Sequence, residues 1–155
     1  MKKTFSLLTT VLLSSVVVLV SCSTSASIPP INMTATGVAI KGYDPVAYYT
    51  MERAVPGQEA LLYKWRGAGW LFASGEHLEM FQENPDAYAP QYGGYCAYAV
   101  SQGTTADIDP ESWAIVDGKL YLNLNPDVQK LWQQKREEYI RQADANWPRL
   151  VKQGG

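Results

Sequence analysis

Two residue types in this chain of 155 residues could do soft-ligand or redox chemistry, and both are scarce: there are two cysteines and one histidine. Cys96 lies in the run Tyr95-Cys96-Ala97-Tyr98-Ala99-Val100, two residues after Gly93-Gly94. A helix is expected over residues 95–102, stopped by Gly103, with Cys96 in its first turn. Free N–H groups and the helix dipole there favour an anion, and a thiolate is both the nucleophile and the metal ligand. The opposing reading is a small hydrophobe buried in an apolar run. His77 is the natural partner. Thiolate plus imidazole suits Cu(I) or, with further ligands, zinc; alternatively, the imidazole supports the thiolate in exchange with peroxide or disulfides. Against this, His77 reads as a solvent-facing residue in the first turn of a helix. Two Cys and one His exclude a zinc site of four thiolates and imidazoles from one chain.

The remaining candidates point to packing. Asp44 followed by Pro45 reads as a helix cap with proline at the first helical position. Asp107, Asp109 and Glu111 alternate, but the glycine and terminal glutamate of a calcium loop are missing. The ten Tyr and five Trp are scattered over hairpins and helices, as core residues are. No Ser-His-Asp constellation, phosphate loop or nucleotide fingerprint is visible. A formal charge of −2 with 18% charged residues excludes a nucleic-acid binder, which needs a basic face. The 46% apolar content is enough for a core.

The elements that must position these residues follow from pattern. Leu61, Tyr63 and Trp65 alternate ahead of Arg66-Gly67-Ala68-Gly69 and Trp70-Leu71-Phe72, which predicts a β-hairpin. Ser74 can cap a helix over residues 75–83, with Leu78 and Phe81 on one side. Asp117-Gly118 between residues 113–116 and 119–123 is a strong second hairpin signal. Asn125-Pro126-Asp127 opens a long helix expected to run to Asn146, with Lys135 interrupting its apolar stripe of Val128, Leu131, Trp132, Tyr139, Ile140, Ala143 and Trp147. No repeat of 20–50 residues is evident. The fold class is α+β: small antiparallel hairpins packed with short helices and a long C-terminal helix.

The N-terminus reads as an address. Lys2-Lys3 precedes an apolar stretch, residues 7–20, too short for a comfortable membrane span. Leu19-Val20-Ser21-Cys22 resembles a bacterial lipobox. This implies a signal peptide over residues 1–21 and lipidation of Cys22. Cleavage there leaves 134 residues, and the loss of Lys2 and Lys3 takes the formal charge from −2 to −4. The acyl chains would anchor the chain in the membrane of a bacterial envelope, facing the periplasm. Ser23 rather than Asp after the cysteine favours the outer membrane, by resemblance to enterobacterial sorting. Residues 22–35 then form a tether rich in Ser, Thr and Pro, residues 36–150 the domain, and residues 151–155 a disordered tail.

Several runs together resemble a known family. Gly42-Tyr43-Asp44-Pro45-Val46-Ala47-Tyr48-Tyr49, Trp70-Leu71-Phe72-Ala73-Ser74, Phe81, Asn84-Pro85, Tyr88, Gln91-Tyr92-Gly93-Gly94-Tyr95-Cys96-Ala97-Tyr98 and Asp144-Ala145-Asn146-Trp147-Pro148 are similar to the YHS domain proteins, and to their exported branch, some of whose members carry selenocysteine. The resemblance implies a treble-clef-like metal module. In metal-handling members a Cys follows Asp-Pro-Val, and a Cys-x-x-x-Cys pair precedes the Phe. Here those three positions hold Ala47, Ala73 and His77. The resemblance also favours a functional chalcogen at Cys96.

Three functions follow as expectations. The first is a membrane-anchored binding module for a soft metal ion such as copper, or another small ligand, through Cys96 and His77. The second is a thiol-redox protein centred on Cys96, and the third a structural or partner-docking envelope lipoprotein. A non-enzymatic role is favoured; copper or zinc is the expected ion, and the membrane, a metal ion or an envelope protein the expected partner, with no nucleic acid.

Overall fold

The computed structural model describes residues 28–152. The expected signal peptide, Cys22 and the first part of the tether lie outside the described residues, as do residues 153–155. Among the described residues no helix is long and apolar enough to cross a membrane. The architecture is α+β with two separate two-stranded antiparallel sheets. Strands β1 (Gln58–Trp65) and β2 (Ala68–Phe72) form one hairpin; β3 (Asp109–Val116) and β4 (Lys119–Asn123) form the other. Around them lie α1 (Ala47–Thr50), α2 (Gly75–Glu83), α3 (Pro85–Tyr88), α4 (Ala97–Ser101), α5 (Pro126–Gln134) and α6 (Arg136–Lys152).

The two hairpins are copies of one unit, offset by 51 residues. Each pairs an eight-residue strand with a five-residue strand through a two-residue turn. The register breaks at the same place, between Gln58 and Leu62 in one and between Asp109 and Trp113 in the other. The turns Arg66-Gly67 and Asp117-Gly118 have φ of 49° and 79°, and of 50° and 72°. Positive φ at both central residues matches the right-handed twist of the strands. Each hairpin leads into a nine-residue helix capped by a side chain: Ser74 accepts from the N–H of His77, and Asn125 from that of Val128. Each helix buries one aromatic ring on a hairpin aromatic. Phe81 meets Trp70 at 5.3 Å and 32°, and Trp132 meets Tyr121 at 5.4 Å and 36°.

The repeat extends upstream. Ile40, Lys41 and Gly42 have φ of 40°, 57° and 81°; Tyr92, Gly93 and Gly94 have 55°, 60° and 80°. Each left-handed turn packs on the second strand of its own hairpin and is followed by a short helix, α1 or α4. Just after the turns, the N–H of Asp44 donates to the carbonyl of Val55 (2.8 Å), and that of Cys96 to Ala106 (3.1 Å). Asp44 and Cys96 therefore hold corresponding places. The period lies just beyond the 20–50-residue window that the sequence shows empty.

Three boundaries differ from expectation. The packed chain reaches back into the expected tether: Ile31 is 4% exposed, and the N–H of Asn32 donates to Gly93 at 2.8 Å. The second glycine of the Gly93-Gly94 pair continues the turn, and the first admits this strap: a Cβ on Gly93 would lie 2.0 Å from the Pro30 carbonyl oxygen. The long C-terminal helix breaks at Lys135 (φ −136°, ψ 40°). Trp132 fills the second unit's core, and the next positions on its face are Lys135 and Arg136, so a straight helix would drive charges inward. After the break, α6 turns a fresh face, with Ala143 and Leu150, onto α4. It continues through Pro148 to Lys152, so Val151 and Lys152 belong to the helix rather than to a tail.

Candidate functional site

The structure does not bring Cys96 and His77 together. Cys96 is 1% exposed in a cluster that includes Ile40, Ile108, Leu120 and Leu122. Its sulfur lies 3.9 Å from Asn123 Oδ1, the contact of a weak S–H donor. It occupies the N-cap of the five-residue α4 and makes no cap bond. His77 sits at N3 of α2, 8% exposed, and so does not face solvent as the reading opposed to a partner of Cys96 has it. Both its ring nitrogens have partners: Nδ1 lies 2.5 Å from Asp44 Oδ2 and Nε2 lies 3.0 Å from Thr50 Oγ1. Among the described residues no three of His, Cys, Asp and Glu are grouped to hold a metal ion.

Asp44 is the hub of this cluster. It is fully buried, and four donors converge on its carboxylate. The N–H groups of Val46 (2.8 Å) and Ala47 (3.3 Å) reach Oδ1; that of Ala73 (2.8 Å) and His77 Nδ1 reach Oδ2. The cap expected from Asp44-Pro45 is present as the two bonds to Oδ1, but it is half of what the residue does. Ala47, Ala73 and His77 all bond to this one carboxylate. His77 Nδ1 donates to the carboxylate, and Nε2 faces Thr50 Oγ1. Thr50 is exposed. Sequence reading misses Thr50 entirely. The hydroxyl is not a serine, and 27 residues separate it from His77.

A second feature is a groove of about 320 Å³, walled by Pro30 and Ile31 of the strap, the tip of the first hairpin and the end of α6. Trp65, Tyr92 and Trp147 supply rings; Arg66, Asp86 and Asp144 supply charge. Arg66 lies over the Trp65 ring at 4.3 Å and pairs with Asp86 at 3.0 Å. The Tyr92 hydroxyl donates to Asp144 at 2.9 Å. Burial first, then this bond, pushes its pKa well above the ordinary tyrosine value, so it remains a donor. The aromatic residues thus divide: most pack the core, while these three reach a surface recess. The acidic loop is structural. Asp109 accepts from the Glu111 N–H and the Ser112 hydroxyl, and Asp107 pairs with Lys41 at 2.9 Å. Burial would raise the Asp107 pKa, but Lys41, the Ile108 N–H and Asn32 hold it below the usual value.

Comparison of the chain with family models, curated proteins and solved structures gives no match.

Proposed function

We propose that this chain is a lipid-anchored bacterial envelope protein of the YHS type whose domain is a ligand-binding module, with the ligand in the groove beneath the strap rather than on Cys96. The order left-handed turn, hairpin, helix in each unit supports a treble-clef-like reading of the fold. The convergence of Ala47, Ala73 and His77 on Asp44 supports a version in which a hydrogen-bonded carboxylate takes the place of the ion. Lys2-Lys3, the apolar residues 7–20 and Ser21-Cys22 support the anchor, and with it a periplasm-facing site.

The observation that carries the reading is the groove itself. It lies within the size range of small-ligand sites and combines three aromatic rings with two carboxylates against one guanidinium. That chemistry fits a small organic cation, held over the rings and balanced by Asp86 and Asp144. Arg66, already seated on Trp65, shows the preference within the molecule. The test is tryptophan fluorescence of the full chain in detergent, titrated with benzyltrimethylammonium. Saturable quenching, weakened about tenfold in Trp147→Ala, is expected for loss of one cation–π wall. A titration that does not saturate, or one indifferent to Trp147→Ala, contradicts the proposal.

A further inference from the structure

Thr50, His77 and Asp44 share no residue with the groove, and their arrangement is that of a nucleophile, a base and a group that orients the base. Three observations separate it from ordinary packing. First, the three side chains lie in line, with Thr50 Oγ1 against His77 Nε2 and His77 Nδ1 against Asp44 Oδ2. The Thr50 hydroxyl donates to the Val46 carbonyl at 3.2 Å, an oxygen that also accepts from the N–H groups of Tyr49 (3.0 Å) and Thr50 (3.1 Å). The same hydroxyl lies 3.0 Å from His77 Nε2, so a turn of its single proton from Val46 onto that line makes the nucleophile–base contact. Second, the carboxylate–imidazole pair is not repeated in the second unit. At the corresponding places the second unit has Cys96 for Asp44 and Val128 for His77, and it closes its core with no such pair. A buried carboxylate–imidazole pair is costly to desolvate, so a sister unit built without one argues against a purely architectural use. Third, Thr50 is an exposed residue while His77 and Asp44 are buried, and Glu52, two residues on, holds a left-handed φ of 52° uncommon for a non-glycine residue.

We propose that Thr50 is a nucleophile toward small activated carboxylic esters, with His77 as its base and Asp44 as the positioning residue. Oγ1 attacks the ester carbonyl carbon and its proton passes to His77 Nε2. The bond from that carbon to the leaving oxygen breaks, and the leaving alcohol takes the proton from Nε2. The products are an acyl-Thr50 ester and one alcohol. Water, deprotonated by the same Nε2, can then release the acid and restore the hydroxyl. No electrons change hands and no further reactant is required.

The test uses the full chain in detergent with p-nitrophenyl acetate, read by nitrophenol release and by peptide mass mapping. The expected result is one acetyl group on Thr50. The rate falls about 100-fold in Thr50→Val and His77→Gln, the range for loss of a nucleophile or its base, and is retained in Thr50→Ser. Thr50→Val alters an exposed position, so it keeps the test valid if His77→Gln fails to fold. The ring nitrogens of His77, read by NMR, should show the proton on Nδ1 in the parent protein, and this preference should be lost in Asp44→Asn. Acetylation confined to lysines, a Thr50→Val rate equal to the parent's, or a His77 proton on Nε2 in the parent would overturn the proposal.

Discussion

The first unit, built on the hairpin of β1 and β2, and the second, built on that of β3 and β4, solve one backbone problem with opposite interiors. In the first, the residue after the left-handed turn is Asp44, and the third helical residue after the cap is His77; they meet in a buried hydrogen bond. In the second, the corresponding residues are Cys96 and Val128, both packed on the hydrophobic core. In the first unit the N–H groups of Val46, Ala47 and Ala73 take the Asp44 carboxylate as their acceptor. The contact of that carboxylate with His77 has no counterpart in the second unit, and so is a candidate for function. In the second, Cys96 is enclosed among Ile108, Leu120 and Leu122, with the buried Asn123 beside its sulfur.

Substitutions can break or sharpen this contrast. The largest effect is expected at the corresponding pair Asp44 and Cys96. Asp44→Ala strands three N–H groups and His77 in the interior, and should cost about 3–5 kcal/mol in urea denaturation. Cys96→Ala removes one buried sulfur and should cost about 1 kcal/mol. Equal losses would mean that the two interiors are energetically alike. Next come the turns. Gly93→Ala collides with the Pro30 carbonyl and should cost about 2 kcal/mol or more, chiefly by displacing the strap that buries Ile31. The corresponding Lys41→Gly should lie within about 0.5 kcal/mol of the parent, because glycine suits a φ of 57° and the exposed pair with Asp107 contributes little. A strap-independent Gly93 would show as an unchanged midpoint. The smallest effects are at the caps. Ser74→Ala and Asn125→Ala should each cost about 1 kcal/mol and add in the double variant, since each serves its own helix. A large departure from additivity would show that the units do not cap independently.

What the sequence disclosed and what it hid follow the range of the interactions. Asp117-Gly118, the Ser74 cap and Asn125-Pro126 are local signals, and the elements they announce are present. The apolar flanks of Cys96 likewise carried the alternative in which it is buried. The repeat was hidden because backbone geometry, not residue identity, is what recurs. Across the paired hairpins and helices, identity survives at Gly67 and Gly118, Leu71 and Leu122, and Gln82 and Gln133. The Asp44 hub was hidden because capping explains Asp44 locally, while His77 comes from 33 residues away. The close approach at Gly93 was hidden because the approaching segment, Pro30 and Ile31, lies more than sixty residues upstream.

The central claim is that Asp44 and His77 act as one coupled pair, which the second unit does not repeat. A double-mutant cycle installs the second unit's residues in the first: Asp44→Cys, His77→Val and the two together, each unfolded in urea. Each single change leaves a buried polar partner behind, so the account predicts a double variant that loses less than the sum of the singles, by about 1 kcal/mol or more. Additive losses would contradict it, because Asp44 and His77 would then be independent residues of the core.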